Sequence, residues 1–339
     1  MKPVSLIDVA SYLPENQLDT EYFAQYAESD ELAESIMFKA PLSRRHVAPG
    51  ETATDMIERA AAPLIERHGA QAIRDVDVII TNVPVPDLFF VGCGADVAHR
   101  LGSHPEWVID LHNGGCVSFV YMLKLARQIL QTTDARSALI CNAANAAGRI
   151  YDQTEVRRKS HAPIPGDGCG IGYLMADDSS PILDVECRHY EDYAEDVSVS
   201  VEGGTHRSWW QAGEGQIHLG FNPSKVAKVL ARGNRLVPEV ASEVCRRLDI
   251  KTTDIDTLIT NQPNRAFLRN WREALQLPPE RHLDTFEDYG NMFGAAIPVT
   301  LDEAVRGGRI ADGSLLMLAG FAHAGDLAGA TAIRWRPAA

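Results

Sequence analysis

Short apolar runs alternate along the chain with longer stretches in which apolar positions recur every three or four residues. Residues 78–81, 107–111 and 138–141 are nearly continuous apolar runs of strand length, the pattern of strands covered on both faces. Val117, Val120, Tyr121, Leu125 and Ile129 fall at helical spacing and predict a helix over 117–130. The same spacing predicts helices over 54–67, with a kink at Pro63, and over 224–248, 264–275 and 295–306. Strand–helix alternation of this kind implies α/β layers, helices outside central sheets.

The alternation repeats. Asp75-Val-Asp-Val-Ile-Ile-Thr-Asn-Val83 returns as Asp254-Ile-Asp-Thr-Leu-Ile-Thr-Asn-Gln262, with five of nine positions identical and a shift of 179 residues, from 75 to 254. Ser137-Ala-Leu-Ile-Cys-Asn-Ala-Ala144 and Ser314-Leu-Leu-Met-Leu-Ala-Gly-Phe321 match at a shift of 177, from 137 to 314. One such match between apolar strands can arise by chance; two at nearly one offset point to duplication. The expected division is 1–178 and 179–339, at the turn-rich stretch Ala176-Asp-Asp-Ser-Ser-Pro181.

Composition narrows the function. The 339 residues are 45% hydrophobic and 23% charged, which is ordinary for a globular chain, and the net charge is −14. So acidic a surface argues against nucleic acid, whose affinity rests on cationic contacts with phosphate. No apolar run approaches the roughly 20 residues of a membrane span, and residues 1–8 carry no basic-then-apolar secretory pattern. The six cysteines, at 93, 116, 141, 169, 187 and 245, form no C-x-x-C pair. They predict free thiols, no metal site and a cytoplasmic location.

One cysteine stands apart. In Asp110-Leu-His-Asn-Gly-Gly-Cys116-Val-Ser-Phe119 two glycines permit a tight turn between a predicted strand and a predicted helix. A thiol there meets the positive end of the helix dipole and free backbone N–H groups, which should lower its pKa and could also hold an oxyanion. Gly166-Asp-Gly-Cys-Gly-Ile-Gly172 is glycine-rich but lacks the Lys-Ser/Thr ending of a phosphate loop and leads into an apolar strand.

The Cys116 turn, Gly166-Asp-Gly-Cys-Gly170, Tyr289-Gly-Asn291 ahead of Ala295-Ala-Ile-Pro298, and Asp302-Glu-Ala-Val-Arg-Gly-Gly-Arg-Ile310, taken in this order, resemble the β-ketoacyl-ACP synthase III (KAS III) family of the thiolase superfamily. Ser11-Tyr-Leu-Pro14 and Arg44-Arg-His46 fit the same family, and the resemblance spans residues 4–335. It implies a thiolase-like five-layered αβαβα fold made of two duplicated halves, a homodimer, and an acyl group carried as a thioester on Cys116. The donor would be acyl-CoA or an acyl carrier protein, with no permanently bound cofactor.

The chain departs from the family's catalytic set. The family's His-Gln-Ala-Asn reads Asn261-Gln-Pro-Asn264 here, while Asn291 keeps its place. Two carboxamides can polarise a carbonyl but exchange no proton near neutral pH, so decarboxylative condensation is in question. The family's terminal glycine run reads Gly320-Phe-Ala-His323-Ala-Gly-Asp326. A KAS III-like branch that acylates hydroxyls uses a Cys–His–Asp set with the Asp in this loop. Asp326 fits that branch, and His323 is the replacement base, with His112 a second candidate.

Around the mouth, the resemblance assigns substrate or CoA contacts to Lys39, Lys159 and Asn264, with Leu32 where the family stacks a tryptophan. Phe90 matches a residue that enters the partner's acyl pocket, and His206, Trp209 and Trp210 lie in a segment that covers the pocket. Arg44, Arg45, Arg157, Arg158 and Lys159 could form a basic rim for an acidic carrier protein. Three functions stay open: acyl transfer to a small-molecule acceptor in polyketide- or fatty-acid-type biosynthesis, condensation with an altered proton-handling set, and a non-catalytic partner subunit.

Overall fold

Two five-stranded sheets with one strand order organise the chain. The computed structural model describes residues 2–88, 91–202, 216–221 and 225–336. The first stretch runs β1 (Ser5–Tyr12), a ribbon of β2 (Asn16–Asp19) and β3 (Ser43–His46) enclosing α1 (Thr20–Ala24) and α2 (Asp30–Lys39), then α3 (Ala53–His68) and α4 (Ala70–Arg74). It continues through β4 (Val78–Asn82), α5 (Gly94–Leu101), β5 (Trp107–Asp110), α6 (Ser118–Thr132), β6 (Ser137–Ala144) and β7 (Gly168–Met175). The second begins with β8 (Ile182–His189), a ribbon of β9 (Val197–Glu202) and β10 (Gln216–Phe221), and α7 (Val226–Arg247). There follow β11 (Thr257–Thr260), α8 (Arg265–Ala274), β12 (His282–Leu283), α9 (Phe286–Tyr289), α10 (Ala296–Arg306), β13 (Leu315–Ala322) and β14 (Leu327–Arg334).

The sheet orders are β1-β7-β6-β4-β5 and β8-β14-β13-β11-β12. In each, the first three neighbours pair antiparallel and the last three parallel. The sequence repeat has a mechanical reason. The Asp77 carboxylate accepts the N–H groups of Arg136 (2.7 Å) and Ser137 (3.1 Å), and Asp256 accepts that of Leu315 (2.8 Å). Each aspartate thus ties the start of one parallel strand to the start of its neighbour.

Helices α6 and α10 lie between the sheets, α6 against β6, β13 and β14 and α10 against β1 and β7. Val117, Phe119, Val120, Leu123, Ile297 and Leu301 are fully buried there, each contributing roughly 1.5–3 kcal/mol of apolar burial. Outside, α3 covers the first sheet with Met56, Ile57 and Leu64, and α7 covers the second with Leu236, Val240 and Val244. This is the expected αβαβα layering. Helix α3 runs unbroken through Pro63.

One expected strand differs. The apolar run at 107–111 predicts a strand covered on both faces, yet β5 is the edge of its sheet, with Trp107 37% and Val108 41% exposed. An edge strand is paired on one side only, and an apolar run does not reveal which end of the sheet it occupies.

The glycine-rich loop is a staple. Asp167 is fully buried, and its carboxylate accepts the N–H groups of Val47, Ala147 and Gly148, each at 2.8 Å. Burial pushes its carboxyl up to about 7 against the pull of those three N–H groups and Arg149. An alanine there would leave buried donors unpaired, at about 1–3 kcal/mol for each that finds no new acceptor. We expect Asp167→Ala to lose about 3 kcal/mol of stability, seen as a lower midpoint in urea unfolding. An unchanged midpoint would show that other bonds hold the loop.

Candidate active site

At the end of β5 the Asp110 carboxylate accepts the Thr81 hydroxyl (2.6 Å) and the N–H groups of Cys93 (2.9 Å) and Gly94 (3.0 Å). That anchor fixes where the chain leaves the sheet. A 3₁₀ turn over Gly115–Val117 then leads into α6. Gly115 has φ +49°, and a Cβ on it would lie 2.9 Å from both Ala322 Cβ and His323 Nε2. Glycine is required for the conformation and for the space. The turn delivers Cys116 half-buried beside the loop between β13 and β14.

The Cys116 thiol behaves differently from the helix-terminus expectation. Burial pushes it up to about 12; a hydrogen bond from the Asn291 side chain pulls the other way, and the Asp326 charge pushes further up. Desolvation outweighs the dipole because regular α-helix starts only at Ser118, one 3₁₀ turn later.

His323 takes φ +50°, a left-handed conformation uncommon for a residue with a side chain. Its Nδ1 lies 3.0 and 3.1 Å from the two Asp326 carboxylate oxygens, and its Nε2 lies against Gly115. With Nδ1–H donated to Asp326, Nε2 carries the lone pair. Asn291 is held by its backbone: its N–H donates to Ile164 O (2.9 Å) and its C=O accepts Gly166 N–H (3.1 Å). Its Oδ1 accepts the Phe293 N–H at 3.1 Å, which leaves the amide end for the thiol. Asn261 is buried and bonds the backbone of Phe321 at both ends, Nδ2 to the carbonyl (3.2 Å) and Oδ1 from the N–H (3.3 Å). It stiffens the strand that presents His323.

Tyr151 and Phe293 belong to this neighbourhood without having been singled out in the sequence. Their rings stack at 6.4 Å, and burial together with the charge of Cys116 raises the Tyr151 phenol. No motif marks Tyr151. Asp167 carried a signal, an acidic residue in a glycine run that lacks the lysine of a phosphate loop.

The mouth differs more. Lys39 is exposed at the end of α2 and Lys159 half-exposed. Asn264 is the N-cap of α8, its Oδ1 accepting the Phe267 N–H at 2.9 Å. Arg44 cannot join a basic rim: it is fully buried, donates to the carbonyls of Pro163 (2.5 Å) and Pro41 (3.2 Å), and lies 4.9 Å over the Phe23 ring. Arg45 donates to the Glu15 carbonyl (3.1 Å), Arg157 covers the Tyr26 ring at 3.9 Å, and Arg158 is 3.7 Å from Glu155. The exposed surface beside Lys39 is apolar instead, with Phe38 82% and Leu42 71% exposed. His112 is exposed. Phe90, His206, Trp209 and Trp210 lie outside the described residues. Among the described residues no group of His, Cys, Asp or Glu could hold a metal, and no helix is long and apolar enough to cross a membrane.

Residues 109–190 match the family model described as 3-oxoacyl-[acyl-carrier-protein (ACP)] synthase III, and residues 245–335 match its C-terminal counterpart. The chain is 30% identical over 310 residues to the β-ketoacyl-[acyl-carrier-protein] synthase III of Thioalkalivibrio sulfidiphilus, covering 91% of this chain and 92% of the relative. It is 25% identical over 324 residues to that of Clostridium perfringens, covering 95% and 96%. The solved structure of β-ketoacyl-[acyl carrier protein] synthase III from Thermus thermophilus superposes with a TM-score of 0.84 at 24% identity, over 98% of this chain and 99% of that one.

A thiol raised to about 12 is almost wholly protonated at neutral pH. Alkylation follows the thiolate fraction, so the rate at Cys116 should climb about tenfold per pH unit from neutrality upward. Iodoacetamide kinetics with peptide mass mapping reads this; a plateau below pH 8 would show that the resting site already stabilises thiolate.

Proposed function

The chain belongs to the 3-oxoacyl-[acyl-carrier-protein] synthase III family, and from that premise we propose that it is an acyltransferase which loads an acyl group on Cys116 and passes it to a small-molecule nucleophile with help from His323 and Asp326. The observation that carries this reading is the imidazole itself, bonded through Nδ1 to Asp326 and laid through Nε2 against Gly115, the residue before the thiol.

Loading joins Cys116 Sγ to the carbonyl carbon of the donor thioester and breaks the donor C–S bond; the cysteine proton leaves with the donor thiol. The relatives' name points to an acyl carrier protein as donor, and CoA has the same thioester chemistry. In discharge the acceptor attacks the acyl carbon, its proton passes to His323 Nε2, and the departing Cys116 thiolate takes that proton back. Asp326 orients the ring and stabilises the imidazolium in between. Asn291, bonded to the thiol, and Asn261 behind it carry no proton in this range.

The relatives' name favours a second reading, condensation with a malonyl carrier-protein thioester. One experiment separates the two. Intact mass after incubation with a panel of acyl-CoAs and acyl carrier proteins should give an adduct that Cys116→Ala abolishes and His323→Ala retains. Discharge of the His323→Ala adduct should be slower by roughly 10²–10⁴-fold. An unchanged discharge rate with ready CO2 release from malonyl carrier protein would favour condensation instead.

The exposed β5 edge supports a homodimer in which a second copy pairs along it, since Trp107 and Val108 otherwise leave an apolar edge open to water. Val108→Lys should shift the chain towards monomer in size-exclusion chromatography with light scattering. A variant as dimeric as the wild type would put the interface elsewhere.

A further inference from the structure

The turn that carries His323 and Asp326 is gripped from two directions. From α7, the stem of Arg232 lies under Gly325: a Cβ on that glycine, at φ +101°, would come within 3.6 Å of Arg232 Cδ and 3.0 Å of Leu236 Cδ1. From the segment after β8, the Tyr190 N–H donates to the Asp326 carbonyl at 2.7 Å. Arg232 joins the two grips. It is 9% exposed, donates through Nη2 to Asp196 at 2.5 Å, and lies 3.8 Å over the Tyr193 ring, both residues belonging to that same segment. Asp196 also receives Lys225.

A guanidinium so enclosed is a costly way to gain stability, because desolvating two charges offsets most of their attraction, and its Nε is buried without a partner. What the arrangement does supply is a fixed distance between α7, the 190–196 segment and the turn above them. We propose that Arg232 is a positioning residue, which through Asp196 holds the His323–Asp326 turn at the height where Nε2 meets an acceptor beside Cys116. The inference rests on His323 as the base of the discharge step.

p-Nitrophenyl acetate reads loading and discharge in one trace without requiring the natural donor. Its burst reports acetylation of Cys116, and its steady state reports hydrolysis, in which water loses a proton to His323 as the acyl C–S bond breaks. Arg232→Met keeps the stem but removes the charge; Asp196→Asn breaks the pair from the other side. Both should keep the burst and lower the steady-state rate about tenfold, within the range that displacements of order 1 Å produce. Arg232→Lys should recover part of that loss. Because Arg232 acts through His323, Arg232→Met should add nothing on a His323→Ala background, whereas a merely structural effect would multiply with it.

Wild-type discharge in a folded Asp196→Asn or Arg232→Met, or a further loss in the double variant, overturns the proposal. Should Arg232→Met not fold, as read by thermal melting, Asp196→Asn decides alone. If His323→Ala by itself leaves discharge unchanged, it is the base assignment that fails, a result distinct from the first.

Discussion

The approach of the β13–β14 turn to Gly115 is the contact on which the site depends. Ala322 and His323 come from the second sheet and Gly115 from the loop after the first, and no Cβ fits between them. Such a contact needs the two sheets at a fixed spacing, which α6 and α10 set by filling the layer between them with fully buried side chains. A close-packed interior changes little in thickness, so the separation of the two turns follows from the packing. The Asp110 anchor on one side and the Asn261 clamp on the other then fix where each turn begins.

The same enclosure shapes the chemistry. Removing water from around Cys116 raises its pKa and strengthens every hydrogen bond that reaches it, including the one from Asn291. A thiol held neutral in this way has a proton to dispose of when it attacks and to recover when it leaves. Asparagine at 261 and 291 can orient dipoles but cannot take that proton, which makes the one imidazole in the turn the group able to do so. Its backbone conformation carries a cost, and strain of this kind is most often kept where a function depends on it.

Residue types that suggested one role in the sequence serve another where burial changes their surroundings. Arg44 looked like part of a cationic rim and is instead a fully buried donor to backbone carbonyls. Asn264 looked like a substrate contact and caps a helix, as asparagine at an N-terminus commonly does. Asp167 sat in a glycine-rich run that pointed weakly to phosphate and proved to hold three loops through their N–H groups. In each case the partner is a backbone group more than one hundred residues away or a local turn, and neither shows in side-chain spacing.

Much of the architecture was legible from the chain alone. Apolar periodicity is local and survives without contacts, so strands at 78–81 and 138–141 and the helices at 117–130 and 295–306 could be read within a few residues. The Asp77 and Asp256 repeat was visible because the same strand-to-strand tie is made twice, and the motif order around Cys116 led to the family. What the tertiary structure alone decided was exposure and proximity: that β5 is an edge, that the Cys116 thiol is desolvated, that His323 Nε2 faces Gly115, and that Arg232 lies beneath that turn. These depend on which distant segments meet. A sequence records the neighbours of a residue along the chain, while solvation and charge are set by its neighbours in space.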